Sequence, residues 1–173
     1  MDIDTLFEKF ESPTQKDLKL NFKKFFSDSG LTPKDAGLVT LACAESVNSP
    51  ALSAFAKSHL ETQGATAEEI QEARDAAAIM GLMNCDYRFR HFVGKDAYQT
   101  AAGLRMNVMA RPVTGKTSFE MMALAVSVIN GCEMCVKSHE KSLIDHGVTE
   151  PVIHDLARLA SITKALEVCF RQL

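Results

Sequence analysis

The 173-residue sequence contains no uninterrupted apolar run of about 20 residues, the length needed to cross a bilayer. We therefore expect no segment that spans a membrane. The first residues, Met1 to Asp4, include neither a basic region nor an apolar run, which indicates that no signal peptide is present. Together these absences predict a cytoplasmic protein whose thiols are mostly reduced.

Positive charge is not in excess either. The chain has 19 Lys and Arg against 22 Asp and Glu, and its formal net charge is −3. Domains that bind nucleic acid usually carry a clear basic excess, so this balance argues against a nucleic-acid partner. Aromatic and basic residues alternate between Tyr87 and Phe92, but one short segment in an acidic chain does not reverse that conclusion.

The alternating pattern of a half-buried strand is missing as well, whereas helix signals recur throughout, so the predicted fold class is all-α. Helix starts are predicted at a series of capping residues, Ser12, Thr32, Ser49, Thr66, Thr117 and Thr149. Helix ends are predicted at Gly30, Gly64, Gly94 and Gly147. A further helix is expected from about Lys95 to Leu104.

The two halves of the sequence repeat at an offset of 83 residues. Gly64 matches Gly147, for example, and Thr66 matches Thr149. The chain is long enough to bury a sizeable core without disulfides. We predict a single all-α domain, 1–173, consisting of an N-terminal helical extension (1–30), a first repeat (31–94) and a second repeat (115–173).

The most informative motif lies in the second repeat. Cys132 and Cys135 are three residues apart directly after Gly131, and His139 follows four residues later. If residues 132–146 form a helix, these three side chains share one face and Cys132 lies at its N-terminus. Unpaired amides and the helix dipole favour a thiolate there. The motif predicts a redox dithiol, in which one thiolate attacks a peroxide or disulfide and the other cysteine resolves the product.

Two alternatives remain for the motif. One is a pair of buried structural cysteines. The other is a metal site with Cys132, Cys135 and His139 as ligands, but no second CxxC or HxxxH pair supplies the rest of a structural site, so no metal is predicted. The remaining cysteines lie in apolar helical patterns and are predicted to be buried small hydrophobes, namely Cys43, Cys85 and Cys169.

Glu120 has two interpretations. It is the third-position acid of the apparent capping box Thr117-Ser118-Phe119-Glu120. Alternatively, if the chain reverses at Gly131, the CxxC helix runs back beside its predecessor, and His139 lies about 10 Å back along it, towards Glu120. A carboxylate–imidazole–thiol relay then forms. The equivalent positions of the first repeat lack this chemistry, since they hold Gly37, Ser49, Leu52 and Ala56.

The pattern Glu120…Asn130-Gly131-Cys132-x-x-Cys135-x-x-x-His139 resembles the alkylhydroperoxidase AhpD family, within the carboxymuconolactone decarboxylase-like superfamily. The segment from Tyr87 to Phe92 is also similar to a segment of that family. The resemblance implies an all-α fold of two related helical halves and assembly into a homotrimer or hexamer. The decarboxylase branch of the superfamily lacks this CxxC, which argues against decarboxylation.

The resemblance also implies roles. Cys135 would be the peroxidatic thiol, Cys132 the proton donor and resolving thiol, and Glu120 with His139 the proton relay. Some members carry a histidine just before the second cysteine, where this chain has Met134.

No tightly bound cofactor is implied. Electrons would come from the lipoyl groups of a partner protein, and some members reduce a partner peroxiredoxin. The predicted function is therefore that of an antioxidant thiol peroxidase that reduces alkyl hydroperoxides. The alternatives are a thiol-disulfide adaptor that reduces a peroxiredoxin, and a non-enzymatic helical assembly module.

Overall fold

The computed structural model describes residues 2–100 and 103–173, and every regular element within them is helical. The all-α prediction is therefore confirmed. The α-helices of these ranges are α1 (Ile3–Leu6), α2 (Pro13–Lys24), α3 (Pro33–Ser46), α4 (Pro50–Thr62), α5 (Ala67–Val93), α6 (Lys116–Asn130), α7 (Glu133–Asp145) and α8 (Glu150–Phe170). Two short 3-10 turns, Asp96–Tyr98 and Asn107–Ala110, lie between α5 and α6.

Local capping fixes several helix starts where the sequence predicts them. The Ser12 hydroxyl accepts the backbone N–H of Gln15, whose side chain in turn accepts the backbone N–H of Ser12. Thr66 and Glu69 form the same reciprocal pair at the start of α5. Each pair satisfies backbone amides that have no partner within the helix.

Helix α2 ends at Lys24, five residues before the predicted end at Ser29-Gly30. The hydroxyls of Ser27 and Ser29 donate to the carbonyls of Lys23 and Phe25. These serine hydroxyls compete with backbone N–H groups for the carbonyls that a further helical turn would use, which explains the early end.

The aromatic residues of the N-terminal region pack within the chain. Phe22 is fully buried, and its ring lies 5.5 Å from that of Phe7 and 5.7 Å from that of Phe55. Phe7 also stacks on Phe170 of α8. The apolar face with Phe22 and Phe25 is thus covered within the chain, by α4 and α8.

Two helices form the centre of the fold. Helix α3 packs against α4, α5, α6 and α8, and α6 packs against α3, α5, α7 and α8. Residues 36–44 of α3 and residues 119–127 of α6 are buried without interruption. A helix that is buried all round must lie inside the domain, and its side chains must then be small or apolar unless they are paired.

The two helical triplets follow the same plan. Helices α6, α7 and α8 begin 83 residues after α3, α4 and α5, and the two fully buried stretches keep this offset. The backbone before α4 reverses through Asn48 with φ 56°, and the backbone before α7 reverses through Gly131 with φ 66°. This correspondence accounts for the sequence repeat. The exact limits 1–30, 31–94 and 115–173 stay a prediction.

The connection between α5 and α6 differs from the prediction. The expected helix from Lys95 to Leu104 is wrong where the structure describes it, since only the turn Asp96–Tyr98 is helical there; residues 101 and 102 lie outside the described part. Side chains of α5 hold this connection by its backbone. Arg90 donates to the Thr100 carbonyl at 2.7 Å, and the buried Glu72 carboxylate accepts the backbone N–H groups of Val113 and Thr114. A helix from Lys95 to Leu104 would withdraw the Thr100 carbonyl from Arg90.

Candidate active site

The site is built on the turn between α6 and α7. Helix α6 ends at Gly131, whose φ of 66° is one that side chains with a Cβ rarely adopt. The next amide, that of Cys132, donates to the Ser127 carbonyl and closes the turn. Cys132 is the N-cap of α7. The chain reversal that the sequence predicted at Gly131 is thus present, and α7 packs back along α6.

Cys132 and Cys135 are joined by a disulfide, with their Cα atoms 5.3 Å apart. Both residues are buried, and Cys135 is the more exposed of the two at 6% against 1%. The sequence paired the same two cysteines. What this bond does chemically depends on the groups that surround it.

The other cysteines are free thiols. Cys43 and Cys169 are buried as predicted, and burial raises the pKa of the Cys43 thiol far above its ordinary value. The prediction for Cys85 is wrong, because it is exposed. Met83 and Asn84 face inwards from α5, and Cys85 lies one position beyond this buried stripe.

Glu120 and His139 face each other across the α6–α7 interface. The Nδ1 atom of His139 lies 2.6 Å from Oε2 of Glu120, and both side chains are buried. The capping-box interpretation of Glu120 is wrong, since α6 begins at Lys116 behind Gly115 and Glu120 falls in the second turn. Gly115 has a φ of 85°, and this glycine conformation starts the helix earlier than the Thr117 pattern indicates.

Lys116 completes a row of three charged or titrating groups. It lies one helical turn before Glu120, and its Nζ is 2.6 Å from Oε1 of that carboxylate. Burial raises the pKa of Glu120, but hydrogen bonds from His139 and Lys116, together with their charges, outweigh burial and hold the pKa below its ordinary value. Glu120 is therefore a carboxylate at neutral pH.

An ionised Glu120 determines which proton His139 carries. A carboxylate only accepts hydrogen bonds, so the His139 nitrogen facing it, Nδ1, must be the one that donates. The other nitrogen of the ring, Nε2, is then the one that accepts a proton. Once protonated, Nε2 can also give that proton up. This is the arrangement in which a carboxylate orients an imidazole for proton transfer.

His139 and Cys135 open into the same cavity of about 250 Å³. Its walls are rich in methionine, and the lining residues are Met80, Met83, Tyr87, Met109, Met134, Cys135, Ser138 and His139. Met134 occupies the position before the second cysteine, is partly exposed and carries no titrating group. The site thus combines a sulfur and an imidazole with flexible, polarisable apolar walls.

The sequence did not single out the residues of α5 that support the turn. Asn84, which is fully buried, donates to the Ser127 hydroxyl at 3.0 Å and accepts from the Asn130 side chain at 2.9 Å. Arg88 donates to the Asn130 carbonyl at 2.8 Å. These bonds tie α5 to the backbone just ahead of Cys132. The only sequence signal is polar residues on an otherwise apolar helix face.

The first repeat has no room for the same chemistry. Gly37 stands where α6 has Glu120, and a Cβ on it would lie 2.9 Å from both the His59 ring and a Leu60 methyl. Any side chain at that position requires the His59 and Leu60 side chains of α4 to shift. The site therefore belongs to one half of a repeated fold.

Two further features of the structure bear on other kinds of function. Across residues 2–100 and 103–173, no cluster of three or more His, Cys, Asp or Glu side chains has the geometry to hold a metal ion. None of the helices in the same described ranges is long and apolar enough to cross a membrane.

Comparisons with known proteins show what the chain is similar to. The model of the carboxymuconolactone decarboxylase family matches residues 95–170. The alkyl hydroperoxide reductase AhpD of Anaeromyxobacter dehalogenans (strain 2CP-C) is 39% identical over 169 residues, covering 96% of this chain and 89% of the relative. The AhpD of Gluconacetobacter diazotrophicus is 41% identical over 170 residues, covering 96% and 91%. That of Methylocella silvestris is 42% identical over 158 residues, covering 88% and 86%.

Proposed function

Because the chain belongs to the carboxymuconolactone decarboxylase family, as one of its AhpD-type members, we propose that it reduces alkyl hydroperoxides through Cys132 and Cys135. Membership of this group makes the chain an oxidoreductase that acts on peroxide. The observation that carries the proposal is the placement of Cys135 and His139 in one apolar cavity, with Glu120 bonded behind the imidazole. An organic hydroperoxide suits such a cavity, because its carbon chain contacts methionine side chains while its peroxide bond meets the sulfur.

In this proposal Cys135 is the peroxidatic thiol. Its thiolate attacks the outer peroxide oxygen, the O–O bond breaks, and the alkoxide leaves as the alcohol once it takes up a proton. Cys135 is left as a sulfenic acid. The thiol of Cys132 then attacks that sulfur and donates its proton to the hydroxyl group, which leaves as water, and the disulfide is the product.

Glu120 and His139 form the proton relay. The thiolate of Cys135 lies in the first turn of α7, where the helix terminus favours negative charge. The backbone cannot donate a proton to the leaving alkoxide, and His139 can. Glu120 holds the imidazole in the tautomer that presents Nε2, while Cys132 donates its proton as it acts as the resolving thiol.

For the reductive half of the cycle we propose a lipoyl-bearing protein as electron donor, and a homotrimer or hexamer as the functional assembly. Both proposals rest on the family resemblance. The second candidate function is that of a thiol-disulfide adaptor, in which the chain passes its electrons to a partner peroxiredoxin. Comparing peroxide consumption with and without the peroxiredoxin distinguishes the two functions.

A single-turnover experiment tests the peroxidase proposal. The reduced protein is mixed with cumene hydroperoxide, and remaining thiols are counted after acid quenching. We expect loss of two thiols, abolished by Cys135→Ser and left intact by the matched control Cys85→Ser, which changes an exposed cysteine outside the site. Equal rates for wild type and Cys135→Ser would rule out Cys135 as the peroxidatic thiol.

A further inference from the structure

A second cavity borders the disulfide from the other end. It measures about 110 Å³ and is lined by Tyr87, Arg88, His91, Phe92, Gly131, Cys132, Glu133 and Met134. Cys132 contributes to this cavity, whereas Cys135 contributes to the larger one that holds His139. Tyr87 and Met134 line both cavities and thus form the wall between them. Each cysteine of the pair therefore lines a different cavity.

Thiol-disulfide exchange needs a particular approach. The attacking sulfur must lie in line with the S–S bond, behind the sulfur it attacks and opposite the sulfur that leaves. An attack on Cys132 must then come from the side away from Cys135, and the smaller cavity is lined by Cys132 but not by Cys135. In the proposed function, peroxide meets Cys135 in the larger cavity.

We propose that the smaller cavity, the Arg88–His91 cavity, is the site where a dithiol reductant enters and attacks Cys132; this inference rests on the proposed function. Arg88 brings a permanent positive charge to the cavity wall, which favours the thiolate form of an incoming thiol. The acidic group in the same wall, Glu133, is paired with Lys137 at 2.5 Å, so its charge opposes the thiolate less.

The exchange balances as follows. A thiolate of the dithiol bonds to the Cys132 sulfur, the Cys132–Cys135 bond breaks, and Cys135 leaves as a thiolate. The second thiol of the reductant then loses its proton and attacks the first sulfur. A cyclic disulfide leaves, and the Cys132 sulfur takes up that proton. Two electrons pass from the dithiol to the cysteine pair.

The direction of attack also suits the leaving group. When Cys132 is attacked, Cys135 leaves into the cavity that the His139 imidazole also lines. The Cys135 thiolate is then already in place for the next peroxide. Attack on Cys135 would instead free Cys132 and leave Cys135 bonded to the reductant, inside the cavity that the peroxide needs.

Two bulky substitutions, one in each cavity, test the two proposed entrances separately. His91→Trp narrows the Arg88–His91 cavity from its exposed rim, and Met109→Trp narrows the larger cavity. Leu20→Trp is the matched control, on an exposed position of α2 that lines neither cavity. The natural sequence has no tryptophan, so each variant also carries a single fluorescent reporter.

Each half-reaction is timed alone by acid quench and thiol alkylation. Oxidation starts from the reduced protein with cumene hydroperoxide. Reduction starts from protein oxidised with diamide and uses dihydrolipoamide. We expect His91→Trp to slow reduction at least tenfold and leave oxidation within twofold of wild type. Met109→Trp should do the reverse, and Leu20→Trp should change neither. If His91→Trp does not fold, as judged by circular dichroism, Phe92→Trp takes its place.

The inference is overturned if His91→Trp leaves reduction unchanged, or if both cavity variants slow the same half-reaction. The proposed function can fail separately, because a protein that does not react with cumene hydroperoxide can still be oxidised by diamide and reduced through the smaller cavity. The two failures are therefore distinguishable.

Discussion

The Nδ1 atom of His139 lies 2.6 Å from the Oε2 atom of Glu120, and neither side chain is more than a tenth exposed. The two residues belong to different helices, and only the reversal at Gly131 brings them together. In a buried setting such a bond fixes the ring in one orientation and one tautomer. Cys135 lines the same cavity as that ring, which is the placement on which the proposed relay rests.

The first prediction concerns this relay. We expect His139→Gln and Glu120→Gln each to lower peroxidase turnover roughly 10²-fold, the usual scale for removing a general acid–base group. Gln at position 120 still accepts a hydrogen bond from His139 but no longer carries charge. The double variant should lose less than the product of the two single losses, because both changes break one relay. Steady-state rates on folded variants check this, and near-full turnover of both single variants would contradict it.

Lys116 gives the second prediction, because it is the only side chain besides His139 that makes a polar contact with the Glu120 carboxylate within the described residues. Lys116→Met should raise the pKa of Glu120 and shift the acidic limb of the rate profile to higher pH. Turnover should fall about 10-fold, as for other groups that support a reacting group indirectly.

Two further variants make the role of Lys116 specific. Lys116→Arg restores the positive charge and should restore the pH profile. Lys141→Met removes an exposed lysine that makes a similar pair with Asp145 on α7, and it should change nothing. An unshifted acidic limb in Lys116→Met would show that the ammonium has only a surface role.

The sequence predicted the parts of the site that depend on local spacing. The CxxC pair, His139 and the reversal at Gly131 all lie within ten residues, so helical geometry alone brings them together. Lys116 was missed because Thr117-Ser118-Phe119-Glu120 has the sequence pattern of a capping box, which placed the helix start too late. The sequence also does not show that Gly115 has a positive φ.

Residues from distant elements were also missed, for another reason. Asn84 bonds to Ser127 across 43 positions, and Met80 reaches the cavity from α5. Such contacts depend on how whole helices pack, and an apolar helix face shows only that it is buried. The helix expected from about Lys95 to Leu104 was mispredicted on the same ground, because Arg90 of α5 binds the Thr100 carbonyl within this segment.

The third prediction concerns assembly into a homotrimer or hexamer, which multi-angle light scattering measures directly. The face with Phe22 is buried within the chain, but α5 still exposes Leu82 and Phe89 on one side of the helix. A charge on such a patch disfavours its burial. We expect Phe89→Glu to lower the measured mass, and Leu20→Glu, a control at an exposed leucine of α2, to leave it unchanged. A monomeric wild type would contradict the assembly.

The last prediction follows from the lowered pKa of Glu120. A carboxyl whose pKa is lower in the folded chain stabilises the fold through its ionised form. This contribution is complete above the ordinary value of 4.5 and is lost as pH falls through the lower folded pKa. At about pH 6 the wild type should therefore be more stable than Glu120→Gln, and the difference should shrink as pH falls towards about 3.5.

Urea unfolding followed by circular dichroism measures this difference in the free energy of unfolding across the acidic range. Glu8→Gln, at an exposed position near the N-terminus, is the control for the loss of one carboxylate from the whole chain. The difference in the free energy of unfolding between wild type and Glu120→Gln should not stay constant down to about pH 3.5 if the prediction holds. A constant difference would mean that the buried bond to His139 does not depend on the charge of Glu120. The carboxylate would then orient the ring without stabilising its protonated form, and the relay would need another proton source.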